Sequence, residues 1–224
     1  MQKSKTYLKN QKEKTIKLFL IIFFRFWLNF FSNLWGIFQT PYKTTKKIVC
    51  KKRYFQAILI LIVVPVYTLL TTPVKYGLSS GWLFLLWAFV KSTLWTYATY
   101  FLICGAIYLV GKKFDGEDDF LGIFSLWAFS LIPTYLWFFV TAGLYVLIPP
   151  PRTTSIYGYS LSILFIAYSV SLLWWKIILY YLTLRHACKL SLLKITKASF
   201  ILWPLGAIYS FLTYKLGVFK IPFI

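Results

Sequence analysis

The sequence predicts an all-α integral membrane protein with five transmembrane helices, preceded by an amphipathic helix that lies in the membrane interface. Three observations carry that fold class. Hydrophobic residues make up 59% of the 224 residues and charged residues 13%, against about 25% charged in ordinary soluble domains. Five apolar runs approach or exceed the roughly 20 residues that cross about 30 Å of hydrocarbon at 1.5 Å per residue. Turn-forming residues gather between those runs, 13 of the 25 Lys and Arg lie before residue 54 and most of the others between the runs, and none of the runs contains Asp or Glu.

The first 40 residues form a basic N-terminal segment and residues 41–224 the five-helix domain. Within the first, Lys17 to Phe38 carries Arg25, Asn29, Ser32, Asn33 and Gly36 at i, i+4, i+7, i+8 and i+11, one polar stripe on a 3.6-residue period. That pattern reads as a helix lying on the cytoplasmic interface. The other reading, a sixth span, would place Arg25 inside the bilayer. A secretory signal is not expected, because Arg25 interrupts the apolar run and Phe26, Trp27 and Leu28 stand where small residues are needed for cleavage. Gln2 and the closing Ile221-Pro222-Phe223-Ile224 carry no lipidation signal.

The spans run Tyr54 to Leu70, Trp82 to Val110, Phe120 to Ile148, Ser160 to Leu184 and Ser199 to Leu216. Pro65, Pro133 and Pro204 fall inside the first, third and fifth, where the missing N–H and the ring should kink each helix. Breakers mark the loops: Pro73 and Gly77, Gly111 to Asp119, Pro149-Pro150-Pro151, and Arg185 to Ala198. Trp82, Trp87, Trp95, Trp137, Trp174, Trp175 and Trp203 sit in or beside the apolar runs, the aromatic usage of membrane interfaces.

Charge sets the expected orientation. With the N-terminus inside, the cytoplasmic segments hold 19 Lys and Arg and the opposite side 4. The positive-inside rule then puts the N-terminus in the cytoplasm and the C-terminus outside, in the cytoplasmic membrane if the source is prokaryotic. The formal charge of +20 does not point to nucleic acid, because the cations are distributed as topology determinants and not as one basic face.

The candidate contacts lie at that cytoplasmic side. Lys112, Lys113, Arg185, Lys189, Lys194 and Lys197 would meet anionic lipid. Asp115, Glu117, Asp118 and Asp119 hold four of the five acids in the chain. They read either as a docking site for a basic partner or a weak cation site, or as solvating residues with Asp118 or Asp119 capping the next helix. Lys91 and Lys176 fall within spans, each roughly 13 Å of helical rise from an end. Lys91 is expected to snorkel outward, and Lys176 to meet an anionic headgroup or a neighbouring helix. Cys50, Cys104 and Cys188 lack metal or disulfide spacing, so no metal, cofactor or disulfide is implied. Cys50 and Cys188 adjoin cations, where acylation occurs, but the favoured reading is that they are free thiols facing a reducing cytosol. His186, the single histidine, has no carboxylate or hydroxyl partner in sequence that would make it catalytic.

Several local patterns resemble the Yip-domain family, five-span membrane proteins related to the Rab-interacting Yip proteins of the secretory pathway. Phe38-Gln39-Thr40-Pro41 and the basic stretch after it resemble that family's lead-in to the first span. Asp118-Asp119-Phe120 and Ala128 through Ile132-Pro133 resemble its short polar loop and third helix. Trp175 to Leu184, Lys189-Leu190-Ser191 and Lys197-Ala198 resemble its passage from fourth to fifth span. The resemblance covers residues 38–216. It implies a non-enzymatic protein that organises membrane or recruits partners at the cytoplasmic face. Rab-engaging members carry a longer N-terminal region with an acidic, tyrosine-containing motif. Here that region is short and basic, with Glu13 its single acid, which puts a Rab-type GTPase partner in doubt and points to a prokaryotic member. The alternative from the residues alone is a permease or an accessory subunit of a membrane complex, with Ser125, Ser130, Thr134, Ser169 and Ser171 lining a polar path.

Overall fold

A computed structural model of the chain describes residues 21, 23–51, 54–76, 81–117, 119–147 and 155–216. Lys17 to Leu20, Asp118, the proline run 149–151, Arg152 and the end of the chain beyond residue 216 lie outside the described residues. Every described element is helical, and the chain divides into two compact units, 1–44 and 45–224.

In the first unit, α1 spans residues 23–39. It ends at Thr40 because a residue before proline is pushed out of helical geometry, and Pro41 suits the first position of α2 (Pro41–Cys50). At this corner a Cβ on Gly36 would lie 2.5 Å from Thr44 Oγ1, so any larger residue would force the Thr44 side chain to shift. The polar stripe is present but is not simply the solvent face. Asn33 is buried along with Phe30 and Ile37, whereas Phe24, Phe31 and Trp35 are exposed.

The second unit contains the rest of α2, then α3 (Tyr54–Tyr76), α4 (Trp82–Lys113), α5 (Phe120–Phe129), α6 (Leu131–Leu147), α7 (Ile156–His186) and α8 (Leu192–Lys215). Among the described residues, four helical stretches are long and apolar enough to cross a membrane: α4, Phe120–Leu144 (α5 with most of α6), α7 and α8. A fifth is reached if Pro41–Cys50 and Tyr54–Leu70, bent by 112°, count as one. The chain is thus built as a multi-pass membrane protein.

The core centres on α5, which packs on α3, α4, α6 and α7 and buries Ile123, Ser125, Leu126, Trp127, Ala128 and Phe129. The buried residues of α4 lie in its second half, from Tyr100 to Gly111, and those of α7 are Gly158 and the group Leu179 to Leu184.

Proline acts differently in the three spans. Before Pro133 the helix breaks: Ser130 ends α5, its N–H bonding Leu126 and Trp127 carbonyls at 3.1 Å and its hydroxyl Trp127 O at 2.7 Å. The ring of Pro133 would clash with the Phe129 carbonyl in an unbroken helix. Through Pro65 and Pro204 the helices continue. Pro65 has no N–H for the Leu61 carbonyl, and the Tyr97 hydroxyl of α4 donates there instead at 3.1 Å. Tyr135 of α6 donates to the adjacent Ile60 carbonyl at 3.0 Å. In a medium without water, this replacement of a missing backbone donor is what makes a proline tolerable.

Candidate functional site

The sequence-predicted residues converge where the loop from α4 to α5 meets the loop from α7 to α8. The C-terminus of α4 closes as a Schellman motif: Asp115 adopts φ 52°, its N–H reaches Lys112 O at 3.1 Å, and Gly116 N–H reaches Gly111 O at 2.9 Å. Aspartate tolerates that left-handed geometry better than most residues. Glu117 N–H then donates to Cys188 O at 3.0 Å, tying one loop to the other. A Cβ on Gly116 would sit 2.8 Å from both the Cys188 and Gly111 carbonyls, so the crossing requires glycine. On the other loop, Leu190 N–H donates to Leu184 O at 3.3 Å, and the Arg185 guanidinium donates to Leu190 O at 2.8 Å. These bonds hold Lys189 at φ 51°.

Cys188 is fully buried in this crossing, with Leu184, Ala187 and Leu190. Burial pushes its thiol up to about 12, and the negative charge of Asp119 adds to the shift. Asp119 is the N-cap of α5, its Oδ1 accepting from Gly122 N–H at 2.9 Å. The capping expected of Asp118 or Asp119 is therefore carried out by Asp119.

Two further loop acids, Glu117 and Asp115, meet loop cations. Lys189 Nζ lies 2.6 Å from Glu117 Oε1, and Lys194 Nζ lies 3.1 Å from Asp115 Oδ2. The hydrogen bond it donates to the Glu117 carboxylate raises the Lys189 ammonium above its ordinary value. Both pairs are solvent-exposed. Lys112 and Lys113 end α4 beside them, and Lys197 is exposed in the second turn of α8. Two residues of α2 also lie within electrostatic reach: Cys50 of Lys189, and Lys46 of His186. Exposed apolar side chains border the cations, with Leu192 and Leu193 at the start of α8 and Leu121 at the start of α5. Sequence reasoning did not single out Lys46, Leu192 or Leu193. An apolar pair bracketed by Lys189 and Lys194 was the signal for the two leucines, whereas only the fold brings Lys46 to this end.

Lys176 stands apart. Its ammonium donates to Thr134 Oγ1 of α6 at 2.8 Å, so the structure gives it a helix partner one residue after Pro133. Of the other hydroxyls of the supposed polar path, those of Ser130, Ser169 and Ser171 are committed elsewhere. Ser171 bonds Ala167 O at 2.9 Å, and Ser169 bonds Phe165 O at 2.8 Å while accepting from Trp137 Nε1 at 2.9 Å. Ser125 is buried in α5. Cys50 is exposed, and Cys104 and Cys188 are buried, so of the two thiols considered for acylation only Cys50 is accessible. Among the described residues no group of three His, Cys, Asp or Glu side chains could hold a metal ion. Comparison with protein-family models, with curated proteins and with solved structures gives no match to this chain.

Proposed function

We propose that the chain is a non-enzymatic multi-pass membrane protein of Yip-like type, in which the two interlocked loops form a cytoplasmic platform that holds anionic lipid and recruits a partner. In this reading α3 is the first of five spans, the N-terminus is cytoplasmic and the C-terminus is outside, as the charge asymmetry of the loops requires. The helix α1 lies in the interface, its exposed Phe24, Phe31 and Trp35 turned to the acyl chains. The observation that carries the reading is the juxtaposition at one end of α4 and α7 of a rigid loop crossing, a rim of cations and exposed leucines beside them. Cations at the level of an anionic leaflet each contribute about 1 kcal/mol of attraction, and neighbouring leucines place them at that level.

Reconstitution in liposomes tests the proposal. The purified chain in phosphatidylglycerol-containing vesicles should retain that lipid through detergent extraction and show no solute flux above empty vesicles. Flux of ions or small solutes without lipid retention would replace this reading with that of a permease.

A further inference from the structure

Two cations of the platform already have an occupant, and it belongs to the chain. Lys189 and Lys194, which flank the exposed Leu192 and Leu193, are held by Glu117 and Asp115 of the facing loop at 2.6 and 3.1 Å. We propose that the α4–α5 loop is an internal competitor for an anionic phospholipid headgroup: Glu117 and Asp115 occupy Lys189 and Lys194 until a headgroup phosphate displaces them. This rests on the lipid-binding reading above and adds to it a means of control.

Three features of the site support exchange and not a permanent bond. Both pairs are exposed, with relative side-chain accessibilities of 61% and 58% for Lys189 and Glu117 and of 38% and 89% for Lys194 and Asp115, so a headgroup can approach from the side. An exposed pair of this kind shifts an equilibrium by at most about fivefold, and attraction of a lysine to an anionic leaflet is of similar size, so the two states are closely balanced. The loop does not depend on the Glu117 and Asp115 carboxylates for its shape. The Schellman closure of α4, the Glu117 N–H to Cys188 O bond and the Asp119 cap all use other atoms. Release of the two side chains therefore leaves the crossing in place and frees two carboxylates at its rim, where a basic partner segment would find them only on the lipid-loaded protein.

The test is a double-mutant cycle on the full-length protein in detergent, reading phosphatidylglycerol retention by native mass spectrometry, with phosphatidylcholine as the reference lipid. Glu117→Gln should raise retention of phosphatidylglycerol by about two- to fivefold, and that gain should vanish in the Lys189→Gln background. Glu13→Gln makes the same change of net charge elsewhere and should leave retention unaltered. A gain of equal size from Glu13→Gln, or one that persists without Lys189, reduces the effect to overall charge and overturns the competitor. No gain from Glu117→Gln, with retention still lowered by Lys189→Gln, overturns the competitor and leaves the lipid platform standing. Retention unaffected by Lys189→Gln and Lys194→Gln removes the platform itself. Asp115→Asn with Lys194→Gln gives a second, independent cycle, and thermal midpoints in the same detergent identify any variant whose fold is lost.

Discussion

The last turns of α4 and α7 bury Val110, Gly111, Leu182, Thr183 and Leu184, whereas the first turns of the same two helices leave Trp82, Leu83, Ile156 and Tyr157 exposed over 74% to 89% of their surface. The packed end is the less apolar of the two, since Lys112, Lys113, Arg185 and His186 stand in those last turns, so hydropathy does not explain the difference. What separates them is the means of close approach. One end has Gly111 and Gly116 against Cys188, a helix closure, a side-chain cap and a backbone bond between loops. The other has an N-cap at Ser155 for α7 and none from a side chain for α4. Lipid tails solvate leucine as well as another helix does, so association within a bilayer follows shape and hydrogen bonding and not apolarity. The end that carries these devices is the end that is packed.

The largest break in this contrast should come from glycine. Gly116→Val places its Cβ against two backbone carbonyls at 2.8 Å that cannot turn aside, and should cost about 3 kcal/mol by overpacking. Gly105→Ala, Gly143→Ala and Gly206→Ala, in helices with nothing within 4 Å of the new Cβ, should leave stability unchanged or raise it by up to about 1 kcal/mol. Denaturant unfolding in a fixed detergent checks both, and equal losses at all four sites would erase the distinction.

Removal of the phenol that serves Pro65 should come next. Tyr97→Phe leaves the Leu61 carbonyl without the donor it has at 3.1 Å, a loss of about 1–3 kcal/mol for an unsatisfied buried group. In a Pro65→Ala background the restored backbone N–H can serve that carbonyl, so the cost of Tyr97→Phe should shrink. Additive losses would show that the phenol matters for packing alone.

A smaller effect sharpens the contrast by chemistry. Cys50 is exposed, while Cys104 and Cys188 are buried, so maleimide at neutral pH should modify one thiol quickly and two only on unfolding. For Cys188 the sign is fixed by its folded value of about 12 against an ordinary 9.0. Burial of the neutral thiol keeps its full contribution below pH 9, and that contribution is lost as pH rises toward 12. Replacing Cys188 with serine should therefore flatten the fall in stability over that window, as read from thermal midpoints between pH 8 and 11.

Much of this fold is legible in the sequence, because apolar length and breakers are local properties. Four of the five apolar segments that hydropathy locates lie in helices long enough to cross a membrane, and the fifth, Tyr54 to Leu70, counts as such only together with Pro41–Cys50 across a 112° bend. Hydropathy also trims the helices where charge or small polar residues begin. The expected fifth span starts at Ser199, yet α8 starts at Leu192, because Lys194 and Lys197 lower hydropathy without opposing a helix that begins at its N-cap, Ser191. Ser155 likewise starts α7 four residues ahead of Ser160 by accepting from Gly158 N–H at 3.1 Å. A kink at Pro133 and a cap by Asp118 or Asp119 are legible in residue chemistry, whereas the break at Pro133 with continuation through Pro65 and Pro204, and the use of Asp119 as the cap, come from the fold. The site is legible only in its ingredients. That Lys189 meets Glu117 and Lys194 meets Asp115 depends on two left-handed residues and a glycine crossing that bring together loops about 70 residues apart. The use of Tyr97 to replace the donor missing at Pro65 depends in the same way on which helix lies alongside.

The central claim, that the packed loop end faces the cytoplasm and the exposed aromatic end faces out, is tested most directly by thiol labelling in intact cells. In a Cys50→Ser background, Tyr157→Cys should react with a membrane-impermeant maleimide added from outside, and Lys113→Cys should react only after the membrane is permeabilised. Labelling of Lys113→Cys in intact cells, with Tyr157→Cys protected, would contradict the account.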